Sequence, residues 1–137
     1  MTTNERKPQT ILLVDDEKMV LDLVTRILDE EGYSVLPAAS GREGLAIAQA
    51  HKGRIDLLLT DIVMPGMSGG ELAQQVLQLC PGIRVLYMSG YTKYTAVGHG
   101  VLESVNPFIW KPFDSEQLLG KVLEVLENPS DIGGPAG

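Results

Sequence analysis

The chain has a single cysteine, Cys80, among its 137 residues. That excludes an internal disulfide and fits a reducing cytoplasm. Basic charge is scarce as well: 11 lysines and arginines stand against 18 acidic residues, a net charge of −7. A balance of this sign argues against direct nucleic-acid binding through a broad basic face. No apolar stretch approaches the roughly 20 residues that a membrane span requires. Residues 1–9 are polar and lack the apolar core of a signal peptide. Histidine is nearly absent, and neither His51 nor His99 has a partner at metal-ligand spacing. These absences describe a cytoplasmic module that touches neither nucleic acid nor membrane.

What is present is ordinary in bulk and ordered in detail. An apolar share of 44% and a charged share of 21% are typical of a globular domain, and the length suits one core. Five short apolar runs, at 10–14, 34–38, 56–60, 84–88 and 108–110, read as strands. Segments with apolar residues at 3–4 spacing lie between them: Val20, Val24, Ile27 and Leu28; Leu72, Val76 and Leu79; Leu118, Val122, Val125 and Leu126. Gly32 is placed to stop the first helix, Ser40 to cap the second and Pro81-Gly82 to end the third. Asp114 with Gln117 has the form of a capping box, and Glu17 stands where it would cap the first helix. Residues 91–105 carry glycines and little periodicity, so a short or mobile helix is expected there. Strict alternation implies a doubly wound α/β fold, a parallel sheet covered on both faces, with the first and third strands central. Residues 1–9 read as a disordered lead, 10–127 as the domain and 128–137 as a flexible tail or linker.

Chemistry gathers where apolar runs end. Asp61 closes the third run ahead of Pro65-Gly66, Asp15-Asp16-Glu17 follow the first, and Lys111-Pro112 follow the last. Open α/β sheets bind ligands at the carboxyl ends of their strands. Magnesium prefers oxygen ligands and keeps several waters, so one or two carboxylates and a phosphate suffice to hold it. Asp16 and Asp61 are therefore candidate direct ligands, with Asp15 holding a bound water. Asp61 is also a candidate nucleophile, since a carboxylate can attack phosphorus to give an acyl phosphate. Lys111 would neutralise the phosphoryl oxygens, aimed by a Lys111–Pro112 bond of a kind in which cis isomers are concentrated. Ser89, ahead of Gly90, can donate to a phosphoryl oxygen.

Val14-Asp15-Asp16-Glu17, the run from Thr60 to Gly69, Met88-Ser89-Gly90-Tyr91 and Lys111-Pro112-Phe113 together resemble the receiver domain of two-component response regulators. The resemblance covers residues 10–127 and implies a flavodoxin-like sheet of order 2-1-3-4-5. It implies that Asp61 is the phosphoacceptor and that Asp15 and Asp16 are the acidic metal pair for Mg2+, joined by the backbone carbonyl of Val63. Ser89 then corresponds to the switch hydroxyl, Lys111 to the phosphate-binding lysine and Phe108 to the switch aromatic, without its hydroxyl. A core role for Phe108 fits equally well. The implied partners are a histidine kinase or histidine phosphotransfer protein as donor and a downstream protein at the face of the fourth helix, fifth strand and last helix. That face would also admit a homodimer. The sequence is most similar to the C-terminal receivers of hybrid sensor histidine kinases.

Val63, two residues after Asp61, and Tyr91, two after Ser89, occupy positions that tune phosphoryl lifetime in the family. An apolar Val63 and a covering Tyr91 predict slow self-hydrolysis. The competing class, an aspartate-nucleophile phosphohydrolase, would place an acid at position 63 and is disfavoured by valine. The domain is thus expected to assist its own phosphorylation without being a stand-alone enzyme. Cys80 reads as a small buried residue and Trp110 as packed against the last helix.

Overall fold

The computed structural model describes residues 8–90 and 106–127. The expectations for the 1–9 lead fall largely outside them, and those for residues 91–105, including Tyr91 and His99, and for the 128–137 tail fall wholly outside. Among the described residues nine elements follow in chain order: β1 (Thr10–Val14), α1 (Lys18–Glu30), β2 (Ser34–Ala38), α2 (Gly41–Ala50), β3 (Leu57–Asp61), α3 (Gly69–Leu79), β4 (Arg84–Ser89), β5 (Phe108–Trp110) and α4 (Ser115–Glu127). All strand pairs are parallel, in the order β2-β1-β3-β4-β5. The expected topology is therefore present, with β1 and β3 inside the sheet.

Alternation along each strand divides the core in two. Leu12, Val14, Leu58, Tyr87 and Phe108 pack with Ala48 of α2 and with Leu72 and Val76 of α3. Ile11, Leu13, Leu57, Leu59, Leu86, Met88 and Ile109 pack on the other face with Val24 and Leu28 of α1 and Leu118, Val122 and Val125 of α4. Cys80 is buried in the first of these clusters.

Local chemistry sets the helix ends. α1 stops at Gly32, whose φ of +102° suits glycine. Its N–H donates to the Asp29 carbonyl and that of Tyr33 to Leu28, which is the Schellman pattern. The Ser40 hydroxyl accepts from the Glu43 N–H at the start of α2. Asp114 and Gln117 form the reciprocal box expected ahead of α4, with bonds of 2.8 and 2.9 Å. A second capping box, Ser68 with Glu71, opens α3. Its S-x-x-E signature, Ser68 to Glu71, is present in the sequence.

Four expectations need correction. β3 spans Leu57–Asp61, one residue later than expected at both ends, and β4 runs on through Ser89 rather than ending at residue 88; the Asp56 carboxylate just ahead of β3 accepts the Thr10 N–H at 2.8 Å. Glu17 occupies the N-cap position of α1, yet its side chain makes no cap bond; the longer glutamate reaches toward Lys111 instead. Trp110 packs on the α2/α3 side against Phe108, rather than against the last helix. Residues two apart on a strand share a face, so Trp110 follows Phe108.

Candidate functional site

Three strand ends converge at the carboxyl edge of the sheet. β1 delivers Asp15 and Asp16, β3 ends on Asp61, and β5 runs into Lys111. One carboxylate oxygen from each of Asp15, Asp16 and Asp61 lies within 4.8 Å of the others. Asp15 and Asp61 are buried, whereas Asp16 is open to solvent. The Lys111 ammonium lies 2.9 Å from Asp15 Oδ2, 3.4 Å from Asp61 Oδ1 and 3.9 Å from Glu17 Oε1. The other Asp15 oxygen accepts the Glu17 N–H at 2.8 Å, fixing that carboxylate from both sides.

Asp61 is held differently. Its residue is only 4% exposed, and Oδ1 is buried without a hydrogen-bond partner among the described groups. At 3.4 Å the contact with Lys111 is an ion pair rather than a well-formed hydrogen bond. Burial accordingly pushes the Asp61 carboxyl up to about 6, with Lys111 pulling against the shift and Asp15 and Asp16 adding to it. Burial disfavours charge on Lys111 too, but its bond to Asp15 and the Asp61 charge outweigh that and hold the ammonium above the usual lysine range.

With all four groups ionised, three carboxylates face one ammonium, an excess of two negative charges. An all-oxygen donor set, an unsatisfied buried oxygen and that excess together fit a hard divalent cation.

The remaining predicted residues surround this cluster. Ser89 is buried at the end of β4, in register with Trp110. Val63 is half-buried and packs against the core from the loop after β3. The Lys111–Pro112 bond is cis, as its place in the sequence suggested. Phe108 is buried, edge-on to Tyr87 at 5.8 Å and tilted against Trp110 at 5.1 Å. Sequence reasoning missed two groups at the backbone of Asp61. The Thr60 hydroxyl donates to the Asp61 carbonyl at 2.9 Å. Gly69 lies so close that an added side-chain carbon would overlap that same oxygen.

A doubly wound α/β domain with an acidic, lysine-bearing cluster at its carboxyl edge defines a class of phosphoryl-handling proteins. Residues 11–123 match the response regulator receiver domain family, and the chain belongs to it. It is 36% identical over 118 residues to the sensor kinase CckA of Brucella abortus, covering 86% of this chain and 12% of that kinase. It is 31% identical to the chemotaxis protein CheY of Treponema pallidum, covering 88% of this chain and 84% of CheY. The crystal structure of the receiver domain from the hybrid histidine kinase CckA superposes with a TM-score of 0.73 at 36% identity, covering 86% of this chain and 99% of that domain. Acceptance of a phosphoryl group in two-component signalling is the general function of this family, and its members bind Mg2+ at an acidic pocket. They act as signalling switches rather than as conventional enzymes. No described helix is long and apolar enough to cross a membrane.

Proposed function

We propose that Asp61 accepts a phosphoryl group from a phosphohistidine on a histidine kinase or phosphotransfer protein, and that the domain is thereby switched. One observation supports this above the others: a buried Asp61 carboxylate, short of hydrogen bonds, stands between two further carboxylates and a lysine at a sheet edge. An Asp61 oxygen would bond to phosphorus as the phosphorus–nitrogen bond breaks. The imidazole nitrogen leaves with the electron pair and takes up a proton. Asp15, Asp16, Asp61 and the Val63 carbonyl would hold Mg2+. When bound, the ion supplies positive charge opposite the developing charge on the phosphoryl oxygens. Lys111 is close enough to Asp61 to turn toward its product, and Ser89 ends the neighbouring strand, where its hydroxyl can donate to the same group.

The switch would run from Ser89 to the Tyr87–Phe108–Trp110 stack beside it and out to the face of β5 and α4, where a downstream protein or a second copy would bind. The working unit is residues 10–127, and we place it in the cytoplasm. Likeness to CckA in both comparisons favours the receiver of a hybrid sensor kinase as its context. Labelling by a small phosphodonor with Mg2+ tests the assignment: the label should be acid-stable, alkali-labile and lost in Asp61→Asn. Label persisting in that variant would place the acceptor elsewhere.

A further inference from the structure

The Asp61 backbone carries contacts that the acceptor role alone does not explain. Thr60 is wholly buried, and by strand alternation its side chain shares the α2/α3 face with Leu58. Its hydroxyl turns forward along the chain and donates to the Asp61 carbonyl at 2.9 Å. The first residue of α3, Gly69, abuts that oxygen from outside the strand. The Gly69 N–H donates to the Ile62 carbonyl at 2.8 Å, and the Ile62 N–H donates to Met88 of β4 at 3.2 Å. The peptide joining Asp61 to the Ile62–Val63 loop is thus fixed on every side, and the Thr60 hydroxyl is the side-chain donor in that set.

We infer that Thr60 is a positioning residue for phosphoryl transfer: by holding the Asp61 carbonyl it sets the aim of the Asp61 carboxylate and the course of the loop after it, where the Val63 carbonyl stands two residues along. The inference rests on Asp61 as acceptor. A purely structural threonine would need its hydroxyl satisfied and nothing more. Valine would then cost stability, by taking a donor from the Asp61 carbonyl, and leave reactivity alone. Positioning gives a different result, because displacement of a reacting atom by a fraction of an ångström slows transfer far more than it unfolds a domain.

The test compares Thr60→Val and Thr60→Ser with the parent protein in three measurements. These are the labelling rate at saturating phosphodonor, Mg2+ affinity from Trp110 fluorescence, and the Asp61 carboxyl carbon shift by NMR in chelator. Thr60→Val should label about tenfold more slowly, on the scale that mispositioned groups show, with weaker Mg2+ binding and a moved carbon resonance. Thr60→Ser should restore all three. Labelling and Mg2+ affinity of Thr60→Val within twofold of the parent would overturn the inference. If Thr60→Val does not fold, Thr60→Cys against Thr60→Ser makes the same comparison with a poor donor against a good one, and equal rates there also overturn it. Asp61→Asn run alongside separates the two failures. Label surviving in that variant refutes the acceptor assignment, whereas its loss beside an unchanged Thr60→Val refutes only the positioning role.

Discussion

Replacing Asp61 with asparagine should make the metal-free protein more stable, by an amount that the geometry allows to be worked out. The carboxyl is raised from 3.8 to about 6, chiefly by burial. The folded protein therefore binds this proton more tightly than the unfolded chain does. Above about pH 6 both states are ionised, and the folded state bears the full cost of a poorly solvated charge. As pH falls from about 6 toward 3.8 the folded state takes up the proton first, and the cost disappears. A shift of about two units corresponds to roughly 3 kcal/mol at pH 7.5. The same linkage leaves about 1 kcal/mol at pH 4.5. Asparagine carries no such cost, so urea unfolding in chelator should show Asp61→Asn ahead by roughly 3 kcal/mol at pH 7.5 and about 1 kcal/mol at pH 4.5. The thermal midpoint should rise by about 10 °C at the higher pH. Mg2+ should narrow the gap at pH 7.5, since it stabilises only the form that binds it. A variant less stable than the parent, or a gap that ignores pH, would show that the Asp61 charge is better solvated than its burial indicates.

Lys111→Met should destabilise by about 2–4 kcal/mol in urea, because it leaves the Asp15 carboxylate buried without its ammonium, and it should weaken the conformational response to phosphorylation read by Trp110 fluorescence. Val63→Asn should speed loss of the label severalfold in a chase experiment, since an amide can hold a water where valine cannot. An unchanged decay would remove Val63 from the control of lifetime. Gly69→Ala should cost about 1–3 kcal/mol by overpacking and slow labelling at the same time, because the added methyl overlaps the Asp61 carbonyl. Stability lost with the labelling rate intact would show that the loop absorbs the strain away from Asp61.

The divide between what was legible in the sequence and what was not follows the range of the interactions. Strand runs, the Gly32 stop and the Asp114–Gln117 box depend on neighbours within a few residues, and they appear where periodicity and cap chemistry put them. Asp15, Asp16, Asp61 and Lys111 were legible because each interrupts or ends an apolar run, so a parallel topology was enough to bring them to one edge. Glu17 departs from its expected cap role because cap preference is local, whereas the charge that its side chain faces arrives 94 positions later in Lys111. Trp110 differs for another reason: its two-residue offset from Phe108 puts both rings on one face of β5, and that strand alternation outweighs its nearness in sequence to the last helix. Thr60 and Gly69 belong to a third kind. A buried threonine in an apolar run and one glycine of a Gly-Gly pair are unremarkable until the start of α3 is seen against the Asp61 carbonyl. The groups that supply charge announce themselves in sequence. Those that aim it act through backbone contacts that only the folded chain brings together, which is why replacing Thr60, rather than a further carboxylate, gives the sharper test of how this site is held.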